Sequence, residues 1–167
     1  QLPDKEKRST RLVNELGGRP VQGASVVFTS EELLRRLGGH DPGPGSFSGT
    51  DGRASGFGWK GDELVLVRAP GFSTALVGRA DSGLVVMRRA SPASGRLLDS
   101  SDGPLPSRVV TASIAVPDSS LRVAVARSRT DAEGRFHFES LGDSALIVFD
   151  DGTGPAAMEP AGSGAVT

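Results

Sequence analysis

The sequence nearly repeats itself, and this limits its possible folds more than any other feature. Shifted by 81 positions, Gly61-Asp62-Glu63-Leu64-Val65-Leu66-Val67 falls on Gly142-Asp143-Ser144-Ala145-Leu146-Ile147-Val148. Gly71, Ala75, Ala80, Ser82-Gly83 and Val85 likewise fall on Gly152, Ala156, Ala161, Ser163-Gly164 and Val166, making 9 identities in the 26 ungapped positions from Gly61 to Val86. Upstream, with the register changed by one, Thr50-Asp51 falls on Thr130-Asp131. A period near 80 residues exceeds the roughly 20–50 of a solenoid unit and is the length of a small domain. The chain therefore reads as a charged, aperiodic tail or linker at 1–10, one domain at 11–89 and a second of the same type at 90–167. The second copy stops just short of where the first one finishes, and the first residue is Gln1. Both features predict a piece of a longer protein.

Composition removes several function classes. Cysteine is absent, which excludes disulfides, thiolate nucleophiles and cysteine metal sites. The net charge of −1 gives no polyelectrolyte signature and argues against nucleic acid. The charge splits mildly, +3 up to Arg89 and −4 from Ala90 onward, a weak orienting effect at physiological ionic strength. No apolar run approaches the roughly 20 residues of a membrane span.

The pattern along the chain is mostly strand and turn. Arg11-Leu12-Val13 precedes the glycine-rich turn Leu16-Gly17-Gly18-Arg19-Pro20, and Ala24-Ser25-Val26-Val27-Phe28 is β-branched and apolar. Thr29-x-x-Glu32 fits a capping box for a short helix whose Leu33, Leu34 and Leu37 share a face and whose end Gly38 can close. Residues 40–56 read as loop. Phe57 and Trp59 then alternate with small residues, 64–67 reads as a buried strand, and Leu84-Val85-Val86 closes the copy. In the second copy, strands are predicted at 95–99, 109–116, 121–126, 135–138 and 146–149. Pro117-Asp118-Ser119-Ser120 joins two of them, and Thr130-Asp131-Ala132-Glu133-Gly134 makes a hairpin turn. Many short strands with frequent turns and one helix predict an all-β chain of two tandem antiparallel β-sandwiches, the helix inserted in the first.

These motifs resemble the carboxypeptidase regulatory-like domain. The residues carrying the resemblance in the first copy are Gly18-Arg19-Pro20-Val21-Gln22-Gly23-Ala24-Ser25-Val26, Thr50-Asp51-Gly52 and Ala69-Pro70-Gly71-Phe72. In the second they are Gly103-Pro104-Leu105-Pro106 and Thr130-Asp131-Ala132-Glu133-Gly134-Arg135-Phe136-His137-Phe138. The resemblance implies a transthyretin-like sandwich of about seven strands in each copy. The first copy departs from it by lacking the full Asp-x-x-Gly-x-Phe turn, and the second has Phe149-Asp150-Asp151-Gly152 where Ala-Pro-Gly would stand. Such domains occur beside peptidases and in receptors, adhesins and stalks, so the resemblance does not assign an activity.

No constellation in the sequence carries catalysis. A zinc site would need more than two histidines, His40 and His137, set one per copy without cysteine. His137, between two phenylalanines, is predicted to face solvent. Gly45-Ser46-Phe47-Ser48-Gly49 has phenylalanine where a nucleophile elbow needs serine, and no histidine is recognisably placed to activate any serine. Asp131-Ala132-Glu133-Gly134 lacks the further acids of a calcium loop and reads as a turn. The second copy has no lysine, which excludes a Lys–Asn isopeptide staple there. No cofactor or metal is expected.

Four residues remain as candidate ligand or partner contacts. Trp59 could form a sugar platform with the loop after His40, against a core role beside Phe57. Leu33 and Leu37 could dock a partner, against covering an open end of the sandwich. The chain is thus expected to be a non-catalytic scaffold or protein-interaction module of an exported, bacterial multidomain protein of the cell envelope. Its expected partners are other domains or subunits of a larger assembly, with carbohydrate binding, or service as an accessory domain to an enzyme outside this segment, as alternatives.

Overall fold

The computed structural model describes residues 5–40, 42–43, 45–59, 64–78, 83–142, 145–150 and 155–160. The elements are β1 (Lys5–Asn14), β2 (Ser25–Thr29), α1 (Glu31–Arg36), β3 (Ser46–Phe47), β4 (Arg53–Trp59), β5 (Leu64–Arg68), β6 (Ala75–Gly78), β7 (Leu84–Met87), β8 (Ser91–Arg96), β9 (Val109–Ala115), β10 (Arg122–Arg129), β11 (Arg135–Leu141), β12 (Leu146–Asp150) and β13 (Pro155–Pro160). The chain divides into two compact units. Unit 1 is Gln1–Arg89 with Ala115–Val123; unit 2 is Ala90–Ile114 with Ala124–Thr167.

In unit 1 a three-stranded sheet ordered β4-β1-β7 faces a four-stranded sheet ordered β3-β2-β5-β6. The core lies between them: Leu12, Ala54, Val85 and Met87 from the first sheet meet Val26, Val65 and Val67 from the second, with Val21 and Ala24 closing one side. Two expectations need correction here. Lys5–Thr10 is no tail, because its backbone pairs with β4 from Lys5 opposite Trp59 to Arg11 opposite Arg53. Ladder hydrogen bonds do not require an apolar period. The sandwich is also not wholly antiparallel. β7 pairs with β1 in parallel, Arg11 opposite Leu84 through Asn14 opposite Met87.

Two further corrections concern aromatics and the helix cap. Phe57 was expected in the core, but it is 72% exposed while Ala54 and Gly58 of the same strand are buried. A Cβ built on Gly56 would lie 3.2 Å from the Phe28 ring, so β2's phenylalanine fills the inward space of β4 and leaves Phe57 outside. The side chain of Trp59 lies outside the described residues. Thr29 does not cap α1: it pairs with Leu64 in the sheet, and the next residue, Ser30, takes the cap, its Oγ accepting from Leu33 N–H at 3.2 Å. Gly38 (φ +63°) ends the helix as expected. The 40–56 loop contains β3 and the start of β4 as well.

In unit 2 the sheets are ordered β10-β9-β12-β13 and β11-β8. The unit 1 orders recur, with β8 in the place of β1, β11 of β4, β9 of β2, β12 of β5 and β13 of β6. Hydrogen bonds establish the match atom by atom. Leu12 N–H donates to Gly52 O at 2.8 Å and Val21 N–H to Leu12 O at 3.0 Å; Leu97 N–H donates to Gly134 O at 2.8 Å and Leu105 N–H to Leu97 O at 3.0 Å. Ser48 Oγ accepts from Ala24 N–H at 2.9 Å and donates to Val21 O at 2.7 Å. Thr130 Oγ1 accepts from Arg108 N–H at 2.8 Å and donates to Leu105 O at 2.6 Å.

This frame corrects the register of the repeat. The counterpart of Thr130 is Ser48, not Thr50, because both hydroxyls make the same pair of bonds. Leu66 opposes Val27 and Val148 opposes Thr111, so Leu66 corresponds to Val148 and the shift there is 82. It is 81 at Ala75 and Ala156 and 82 again at Val77 and Glu159, on the two sides of the register change in the β12–β13 ladder. A shift that changes along the chain cannot be matched throughout by an ungapped comparison.

Candidate functional site

Of the four candidates from the sequence, three lie within one short stretch of unit 1. Leu33 and Leu37 belong to α1 and its C-cap, and His40 N–H donates to Leu37 O at 3.1 Å just beyond. Trp59 ends β4. Within the helix the leucines differ. Leu34 is fully buried and packs with Leu64, Val116 and Val123, with Leu76 and Leu121 against them, whereas Leu33 is 37% exposed and His40 is exposed. Leu37 is half-buried. The covering role thus centres on Leu34, and its partners include the turn 115–123, which the sequence placed wholly in the other copy.

That turn also reaches the helix through polar atoms. Ser119 Oγ donates to Glu31 Oε1 at 2.7 Å, and Glu31 also pairs with Arg35 one helical turn on. The Ser119 hydroxyl first, and Arg35 second, hold the Glu31 carboxyl below the ordinary carboxylate range. Arg122, at the end of the same turn, has its guanidinium pKa lowered by burial.

Other surface chemistry was not foreseen. The outer face of the β4-β1-β7 sheet carries the exposed Lys7, Ser9 and Arg11 of β1, flanked by Phe57 on β4 and by Leu84 and Val86 on β7, 54% and 51% exposed. An unbroken apolar run, Leu84-Val85-Val86-Met87, does not tell which face of a strand is covered. In unit 2 a histidine and a serine do meet, a pairing across strands that the sequence did not reveal: Ser94 Oγ lies 2.6 Å from His137 Nδ1, opposite each other on β8 and β11. His137 is exposed, as expected. Among the described residues no carboxylate bonds to His137, so the pair lacks the orienting group of a nucleophilic triad.

Two carboxylates hold turns, Asp131 of the motif read from the sequence and Asp99. Asp131 Oδ1 accepts from Glu133 and Arg135 N–H at 3.0 and 2.8 Å, and Asp99 Oδ1 from Ser101 and Gly103 N–H at 2.8 Å each. Among the described residues no group of three His, Cys, Asp or Glu side chains could hold a metal, and no helix is long and apolar enough to cross a membrane. Asp151 and Gly152 of the Asp-Asp-Gly motif lie outside the described residues.

No protein-family model matches the chain, and no curated protein matches it. Among solved structures it is similar to a streptococcal ancillary pilin at 10% identity and a TM-score of 0.42, covering 98% of this chain and 61% of the pilin. It is also similar to the Bacillus anthracis TIE protein at 14% identity and 0.34, covering 98% of this chain and 33% of that one. The shaft pilin SpaA of Lactobacillus rhamnosus GG gives 11% and 0.34, with 97% and 96% covered. The chain therefore spans about three fifths of the first of these proteins and a third of the second. With every one of these TM-scores below 0.5, no property of those proteins passes to this chain.

Proposed function

We propose that this chain is a non-catalytic structural module, a tension-resisting spacer that docks neighbouring protein domains, built from two sandwiches of the carboxypeptidase regulatory-like type. One observation carries the reading: the first and last strands of unit 1, β1 and β7, are parallel neighbours. The chain enters β1 at one end of that ladder and leaves β7 at the other. Tension along the chain would load its hydrogen bonds together in shear, whereas an antiparallel terminal pair would open bond by bond. The repeated frame of turn-holding hydroxyls and carboxylates supports the same reading, since it ties the chemically capable side chains to backbone N–H groups. Partner contact at the exposed Leu33 and His40 belongs to this proposal, as does placement outside the cell, which rests on the family resemblance.

Pulling the chain by its two ends in single-molecule force spectroscopy tests it. Arg11 N–H donates to Gly83 O at 3.1 Å, and Arg11 and Arg53 are opposed without sharing that N–H. Arg11→Pro removes the bond from the β1–β7 ladder and leaves the β4 side paired. The expected result is a lower rupture force for unit 1. An unchanged rupture force in this variant would overturn the reading.

A further inference from the structure

The outer faces of the two units carry the same arrangement of side chains. In unit 1 Arg11 of β1 stands opposite Arg53 of β4, and Ser9 stands opposite Ser55, the next pair on that face. In unit 2 Arg96 of β8 stands opposite Arg135 of β11, and Ser94 stands opposite His137. All of these residues are exposed, while Leu12, Ala54, Leu97 and Phe136, next to the arginines in their strands, are buried. The positions correspond between the units. Leu12 and Leu97 N–H donate to Gly52 and Gly134 O, and each arginine pair is the residue before that leucine and the residue after that glycine.

Like charges directly opposed across two strands cost stability, so neither pair serves the sheet. Nor does the fold neutralise them. Among the described residues Arg11, Arg96 and Arg135 form no ion pair, and Arg53 meets Asp51 Oδ2 only at 3.7 Å, longer than a charge-assisted hydrogen bond. The Asp131 carboxylate accepts from the backbone N–H groups of Glu133 and Arg135 instead. Arg96 is held in place, its Nε donating to Glu133 O at 2.7 Å, which leaves the terminal nitrogens of its fork to point elsewhere. Beside it, Ser94 and His137 share one proton between Oγ and Nδ1 at 2.6 Å. Either the hydroxyl donates and the neutral ring carries its proton on Nε2, or the ring donates and the hydroxyl proton is unspent. One donor is left over in both cases.

We propose that each unit binds a tetrahedral oxyanion of the phosphate class between its opposed arginines, with the neighbouring hydroxyl or imidazole as a further donor. Guanidinium forks match such oxygens in pairs, and a shared anion turns the repulsion of the two cations into a common attraction. Unit 2 is the tighter site, because Asp51 offsets part of the charge in unit 1 and no carboxylate does so in unit 2. The sequence from Ala90 onward carries a net charge of −4, so bulk attraction does not draw anions there and a saturating response is local. The inference goes beyond the spacer reading and is independent of the force experiment, which reads the β1–β7 ladder.

The probe is orthophosphate, titrated into the full isotope-labelled chain at an ionic strength held constant with sodium chloride. Saturating amide shifts are expected at Ser94, Arg96, Arg135 and His137, and weaker ones at Ser9, Arg11, Arg53 and Ser55. Arg135→Gln should weaken the unit 2 response about threefold to tenfold and leave that of unit 1 in place. Arg11→Gln should do the reverse, so each unit serves as the folded control for the other. Removing one of two opposed cations should leave the urea midpoint unchanged or raise it. Linear polyphosphate at equal phosphate concentration separates the sources: tighter apparent binding assigns phosphate groups carried on a chain, and equal binding assigns the free ion. Shifts that grow without saturating through tens of millimolar phosphate, or that are indifferent to both substitutions, would overturn the proposal.

Discussion

Ser48 and Thr130 show how one hydroxyl fixes a turn. Each is buried, accepts a backbone N–H and donates to a carbonyl, so its loss strands two polar groups away from water. Ser48→Ala and Thr130→Val are each expected to cost about 1–3 kcal/mol in urea unfolding. The adjacent glycines are as constrained. Gly52 and Gly134 have φ of +74° and +75°, and a Cβ on either would lie 2.4 Å from a carbonyl oxygen, of Leu12 or Leu97. Gly134→Ala is expected to destabilise by more than the roughly 1 kcal/mol of an ordinary glycine exchange, read as a lowered midpoint. Thr130 and Gly134 were legible in their turn motif. Ser48 was not, since its role is set by what surrounds it, and a shifted comparison paired Thr130 with Thr50 instead.

The helix is the element where sequence and structure divide the evidence most clearly. Its existence, its glycine stop and its leucine content were readable, but period alone could not rank three leucines. Burial does: Leu34 is sealed under the turn 115–123 while Leu33 faces out. Leu34→Ala is expected to cost about 2–5 kcal/mol, and Leu33→Ser to stay within about 0.5 kcal/mol; thermal melts of both variants compare them. Similar losses for the two would show that the helix does not cover this cluster. The cap moved from Thr29 to Ser30 because Thr29 is committed to the β2–β5 ladder. Competition between a ladder and a cap for one residue is decided by strand pairing, which a local motif does not contain.

Across the whole molecule, the link between Glu31 and Ser119 gives a pH dependence. A carboxyl held below its ordinary range stabilises the fold above that range, and the contribution disappears as pH falls through the lowered value. Stability should therefore decline on acidification, and Glu31→Gln should remove that part of the decline when urea midpoints are compared across pH. A parallel slope in both proteins would count against the link. The sequence by itself determined the β class, the turns and the absence of thiol chemistry, because alternation, glycine placement and composition are local and survive without neighbours. Only the tertiary structure decided the register between the copies, the parallel return of β7 onto β1, the strand hidden in Lys5–Thr10, the outward turn of Phe57 and the membership of 115–123 in unit 1. Each of these depends on which distant backbone or side chain fills the space first, and packing settles that choice.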